Sequence, residues 1–180
     1  MYVLFLYGPA AVGKHTIGSI VARRLSVPLF HNHLAVDLAA SLFAFGTPPF
    51  CRLRADIWRS AFENSARSDV SFVFTFHPES TVDPALITEL THIVTDSKGT
   101  VIFVELTCAR STVLDRLANE SRTRFGKLTD PALYEAIEAE GGFEFDGMPV
   151  PDLRVDTDAL LPESAAEHID AFVRQRMRRA

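Results

Sequence analysis

The sequence predicts an α/β fold in three layers, a parallel sheet of five strands with helices on both faces. Two observations carry this. Tyr2–Tyr7, Ser71–Phe76 and Thr100–Leu106 are near-continuous apolar runs of strand length, and strands apolar on both faces belong in a parallel sheet covered on each side. Between these runs the apolar period changes to that of amphipathic helices, and strand alternating with helix is the pattern of a parallel sheet with helical crossovers.

In chain order, the Tyr2–Tyr7 strand runs into a glycine-containing turn and then a stripe of Ile17, Ile20, Val21 and Leu25. Val27–Phe30 is a short second strand. Phe50, Leu53, Ile57 and Ala61 mark a helix beginning near Phe50, and the third strand follows at Ser71–Phe76. Leu86, Leu90, Ile93 and Val94 form the next stripe, after Asp83-Pro84. Asp130-Pro131 opens another helix in the same way, since an Asp cap followed by Pro at the first helical position is favourable start chemistry. The Thr100–Leu106 strand precedes a helix marked by Val113, Leu114 and Leu117. Leu153–Val155 is the last strand, and Pro162-Glu163 opens a final helix with Ile169, Phe172, Val173 and Met177 inward. Residues 119–150 break the rhythm, with more charge and glycine, one helix at Pro131–Glu140 and a loose exit at Gly141-Gly142. A small mobile lid is expected there, within a single domain spanning 1–180.

Composition narrows the function classes. A chain of 180 residues with 47% apolar and 23% charged residues can bury a full core. Its net charge of -5 argues against a protein built to grip nucleic-acid backbones. Cys51 and Cys108 form no CxxC pair, which suits a reducing compartment and not a structural zinc site. There is no secretory-leader pattern and no apolar run of membrane-spanning length. A cytoplasmic protein with no membrane and no nucleic-acid partner is expected. No pattern in the sequence fixes an oligomeric state.

The most specific motif is Gly8-Pro9-Ala10-Ala11-Val12-Gly13-Lys14-His15-Thr16. It fits G-x-x-x-x-G-K and stands directly after a strand and before a helix. Small residues let consecutive backbone N–H groups curl around an anion, and the helix start adds its positive end. Gly8, Ala10, Ala11, Val12, Gly13, Lys14, His15 and Thr16 are therefore the candidate nucleotide-binding residues, with Lys14 reaching the β and γ phosphates. The Ser or Thr that usually follows the lysine is replaced by His15. Thr16, one place later, is the candidate Mg²⁺ contact, direct or through water. ATP and Mg²⁺ are the expected cofactors, and the absence of an Asn-Lys-x-Asp motif favours ATP over GTP.

On these residues the chain resembles the small P-loop kinases of the adenylate, shikimate and gluconate kinase group, and the bacterial AAA-family-ATPase or shikimate-kinase-like proteins with a GPxxVGKxT loop. The resemblance implies a P-loop NTPase fold and transfer of the γ-phosphoryl group of ATP to a small-molecule acceptor. It also implies that arginines close over the phosphates, which here points to Arg122 and Arg124 in the lid, with Arg116 at its hinge, joining Lys14 as catalytic candidates. The alternative for the same residues is a solvated basic loop.

The acceptor side is expected at about 31–67. His31-Asn32-His33 follows the second strand, at the sheet edge where open α/β folds bind ligands. Shikimate kinases have Asp-x-Asp there, which weighs against shikimate as the acceptor. His31 and His33 could hold an acceptor hydroxyl, take its proton, bind a metal or only order the loop. Asp37 is the nearest carboxylate, Arg54 a candidate for an anionic acceptor, and His77 stands at the end of the third strand. Trp58 is expected in the core. No acid lies within the third strand; Glu79 or Glu105 could replace it, or Mg²⁺ could be held through phosphates and water. Asp156-Thr157 stands where such kinases contact adenine through their backbone. Two other function classes fit the loop: an ATPase or nucleotide switch acting through a protein partner, and an inactive ATP-binding relative.

Overall fold

The computed structural model describes residues 1–117, 128 and 130–179. Its sheet is parallel and five-stranded, in the order β2-β3-β1-β4-β5, with β1 Tyr2–Tyr7, β2 Leu29–His31, β3 Phe72–Phe76, β4 Thr100–Thr107 and β5 Leu153–Asp156. The predicted class and strand number hold. The second strand sits later than expected, so that His31 is its last residue and pairs in register with Thr75.

Central β1 explains why the strands read as unbroken apolar runs. Val3, Phe5 and Tyr7 point to one face, packing with Phe72, Phe74, Trp58, Phe62 and Leu90. Leu4 and Leu6 point to the other, with Val73, Ile102, Val104, Ile17, Val21 and Ile169. The first face is covered by α3 (Pro48–Arg67) and α4 (Pro84–Asp96), the second by α1 (Lys14–Leu25) and α7 (Pro162–Met177). A satellite cluster of Val113, Leu117 and Tyr134 joins α5 (Arg110–Leu117) to α6 (Pro131–Ala139).

The helix starts follow the local chemistry. Asp83 Oδ1 accepts from the Ala85 N–H at 2.9 Å and Asp130 Oδ1 from the Ala132 N–H at 2.8 Å. The last helix departs from this pattern: Pro162 follows Leu161, which offers no side-chain cap.

Three details differ from the sequence reading. A short helix, α2 (His33–Ala40), follows β2; Leu34 and Leu38 on it are exposed, so no inward stripe announced it. The fully buried seam of α3 is Phe50, Arg54, Trp58 and Phe62, rotated from the Leu53–Ile57 stripe and carrying an arginine. The exit from α6 is anchored, not loose. The Gly142 carbonyl accepts from the Ser80 N–H at 2.9 Å, Phe143 stacks on Tyr134 and Phe145 packs on Phe76. Aromatic residues just past the two glycines supply the burial that fixes them.

Candidate functional site

The carboxyl ends of β1, β2 and β3, the start of α1 and the β5–α7 connection surround one cleft of about 2110 Å³. The phosphate loop forms its floor. Gly8 has φ +148°, and a Cβ there would collide with the Leu106 carbonyl oxygen of β4, so only glycine lets β1 turn this close to its neighbour. Gly13, at φ +99°, caps α1 in the left-handed region, and Ala11 is also left-handed at +58°. These reversals curl the backbone ahead of a helix whose first turn holds no acid, leaving its positive end to attract an anion. Lys14 Nζ donates to the Gly8 carbonyl at 2.8 Å and the Pro9 carbonyl at 2.6 Å, placing the cation over the loop. Ala10, Ala11, Val12, Gly13, His15 and Thr16 line the cleft with it. Thr16 is exposed there.

The β2 exit brings the histidines to the loop. The rings of His15 and His31 meet edge to face with centroids 4.9 Å apart, and His33 lies 6.4 Å from His31. His77 Nδ1 lies 3.2 Å from the Gly8 carbonyl oxygen, and its ring packs on Phe143. His31, His33, His77 and Asp37 all line the cleft. Among the described residues no group of three His, Cys, Asp or Glu side chains could hold a metal ion.

Arg54 is placed elsewhere. It is 1% exposed, absent from the cleft lining, and its guanidinium lies 5.2 Å from both the Phe50 and Trp58 rings. Nη1 donates to Glu79 Oε1 at 2.5 Å and to Thr81 Oγ1 at 3.2 Å, and Nη2 to the Thr81 carbonyl at 2.9 Å. Thr81 Oγ1 also donates to Glu79 Oε1 at 3.0 Å. What reaches the cleft is thus Glu79, a carboxylate held from behind by a buried cation. The signal for this was in the sequence: Arg54 is four residues from both Phe50 and Trp58, on one helix face. Trp58 is in the core, as expected.

The opposite wall follows β5. Arg116 donates from Nη1 to Thr157 Oγ1 at 3.0 Å and from Nη2 to the Thr157 carbonyl at 2.9 Å. Thr157 in turn donates through N and Oγ1 to the Thr107 carbonyl. Asp158 Oδ2 accepts from the Ala109 N–H at 2.6 Å, and that backbone bond leads the causes holding its carboxyl below the usual range. Arg116 therefore fixes the β5–α7 wall, on the side of the cleft opposite the histidines. Arg122 and Arg124 lie outside the described residues. Glu105 pairs with Arg154 on the neighbouring strand at 2.6 Å and does not line the cleft. Asn32, Val36, Phe45 and Asp158 also line it; as a single amide, two apolar groups and a loop acid, they gave no recognisable spacing.

Solved structures share this architecture. The chain is similar to a sugar kinase of Janibacter sp. (TM-score 0.65, 16% identity, 96% of this chain and 94% of that one). It is also similar to the APS kinase of Mycobacterium tuberculosis in complex with AMPPNP and APS (0.66, 12%, 96% and 97%), and to the shikimate kinase of Aquifex aeolicus (0.56, 16%, 97% and 98%). At these identities the likeness is one of fold, and the chain has the three-layer fold of the P-loop kinases. No protein-family model matches the sequence, and no curated protein does. No helix among the described residues is long and apolar enough to cross a membrane.

Proposed function

We propose that this protein is an ATP-dependent phosphotransferase that moves the γ-phosphoryl group to the hydroxyl of a small molecule. The observation that carries the reading is a single cleft holding both a phosphate cradle and a second wall. Ligand pockets commonly run to about 300–1,000 Å³; the roughly 2110 Å³ here has room for a nucleotide and an acceptor side by side. A protein that only binds or hydrolyses ATP needs no such second wall.

The chain's own groups divide the work. N–H groups of the loop and the start of α1 hold the phosphate chain, and Lys14 moves from the Gly8 and Pro9 carbonyls to the β and γ oxygens. The Thr16 hydroxyl and the Glu79 carboxylate line the cleft, and such oxygen donors suit Mg²⁺ arriving on the phosphates. Bound there, Mg²⁺ would neutralise charge on the phosphate oxygens. His31, beside the loop, receives the acceptor hydroxyl and is placed to take its proton; His33, Asp37 and His77 complete that wall. Arg122 and Arg124 are assigned to charge stabilisation during transfer, where a contact made only in the transition state accelerates most.

A second reading, an ATP-binding protein without turnover, is favoured by the lack of any acid in Phe72–Phe76. The test is ATP consumption with Mg²⁺ across a panel of hydroxylated small molecules, against an acceptor-free control. Consumption that depends on one acceptor class is the expected result. ATP raising the melting temperature with no consumption anywhere in the panel would replace the transferase reading with the second.

A further inference from the structure

We propose that His77 is a positioning residue for ATP binding: its Nδ1–H holds the Gly8 carbonyl once Lys14 leaves that carbonyl for the phosphates. The inference rests on the phosphotransfer reading for this movement of Lys14, and it gives His77 a task beyond lining the cleft.

The fold brings the two residues together. β1 and β3 run parallel with Tyr7 opposite Phe76, so the next residue of each, Gly8 and His77, leaves the sheet beside the other. His77 Nδ1 lies 3.2 Å from the Gly8 carbonyl oxygen. A carbonyl oxygen only accepts, so Nδ1 carries the hydrogen, as it does in one neutral tautomer and in the imidazolium ion alike. Ring packing fixes the direction of that N–H. The imidazole lies against Phe143 with centroids 5.1 Å apart, and Phe143 stacks on Tyr134 at 4.8 Å. The Ser80 N–H donates to the Gly142 carbonyl at 2.9 Å, which ties this aromatic column to the β3 exit.

The energetic argument concerns what Lys14 leaves behind. Its Nζ donates to the Gly8 carbonyl at 2.8 Å and to the Pro9 carbonyl at 2.6 Å, and both bonds break when the ammonium turns to the β and γ oxygens. Pro9 is half-buried, so water can replace the lost donor there. Gly8 is buried, and a buried carbonyl left without a donor costs more than the bond itself was worth. His77 keeps that oxygen satisfied in the nucleotide-bound state. In the free protein Lys14 holds it as well, so the His77 bond matters more after ATP binds. A contact worth more in one state than in the other shifts the balance between them.

Two variants separate the hydrogen bond from the packing. His77→Phe keeps an aromatic ring against Phe143 and removes the N–H. His77→Asn loses the ring and keeps a donor, Nδ2, attached to Cγ as the histidine Nδ1 is. Binding of a non-hydrolysable ATP analogue with Mg²⁺ is read by calorimetry on the full chain without acceptor, beside the melting temperature of the free protein. We expect His77→Phe to weaken the analogue about five- to tenfold with a melting temperature close to the parent's, and His77→Asn to recover most of that affinity. His77→Phe binding the analogue like the parent overturns the inference. So does His77→Asn binding as weakly as His77→Phe, because ring packing would then be what counts. A parent protein that does not bind the analogue defeats this inference and the phosphotransfer reading together. The expected order of affinities, with no phosphoryl transfer to any acceptor, sustains this inference and defeats the transferase reading alone.

Discussion

Replacing Glu79 by Gln tests the buried pair that shapes the cleft wall. Arg54 is 1% exposed, so its charge is almost wholly removed from water. Its ionic partner is Glu79, at 2.5 Å. Removing one member of a buried pair costs about 3–5 kcal/mol, because the other charge is left uncompensated. Three groups soften that here. The Gln oxygen can still accept from Nη1, the Thr81 carbonyl still accepts from Nη2 at 2.9 Å, and the Phe50 and Trp58 rings remain at 5.2 Å. The loss should fall at the low end, about 3 kcal/mol. For a chain of this size each kcal/mol moves the melting temperature by roughly 2–4 °C, giving a drop of about 6–12 °C. Urea unfolding should show a lower midpoint with an unchanged slope. The double variant Arg54→Met with Glu79→Leu removes both charges and should recover much of the loss. A Glu79→Gln variant within 0.5 kcal/mol of the parent, or a double variant showing the full sum of the two single losses, would refute the idea that the pair is held by charge.

Three further outcomes are expected. Lys14→Ala should lower ATP turnover about 100- to 1,000-fold while keeping the parent's melting curve; retained activity in a turnover assay would remove the loop from the account. Gly8→Ala should be destabilised by more than about 2 kcal/mol, because the new methyl meets the Leu106 carbonyl oxygen at a backbone angle of +148°; a wild-type denaturation midpoint would contradict that geometry. Burial, reinforced by Glu105 and opposed by Arg154, pushes the Tyr7 phenol up to about 12. Its folded value lies above the usual value near 10, so the neutral form stabilises the fold below about pH 10 and that contribution is lost as pH rises towards 12. Ultraviolet titration should show Tyr7 resisting ionisation until the fold weakens; three tyrosines ionising together near 10 in folded protein would be the contrary result.

The sheet was legible because burial on both faces leaves an unbroken apolar record, as in Val3 to Tyr7, and because the phosphate loop requires glycine at positions such as Gly8, where a side chain has no room. Less could be read where burial and polarity are uncoupled. Helix α2 exposes Leu34 and Leu38 and buries only Ala35 and Ala39, so its apolar residues mark no core face. The helix face of Arg54, shared with Phe50 and Trp58, was legible, but its partner was not, since Glu79 arrives from the loop after β3, 25 residues away. The α6 exit looked loose because two glycines were weighed without Phe143 and Phe145, whose ring contacts with Tyr134 and Phe76 exist only in three dimensions. The cleft wall proposed to receive the acceptor is likewise assembled from single residues on β2, α2 and the β3 exit, and no spacing rule joins them.

The most direct measurement follows the γ-phosphoryl group itself: ATP labelled on that group, incubated with the protein, Mg²⁺ and the acceptor class that most stimulates ATP consumption, with products separated and counted. The account predicts label in a new phosphoester of the acceptor, none with Lys14→Ala, and little in inorganic phosphate. Label appearing only as inorganic phosphate, unchanged by the acceptor, would contradict it.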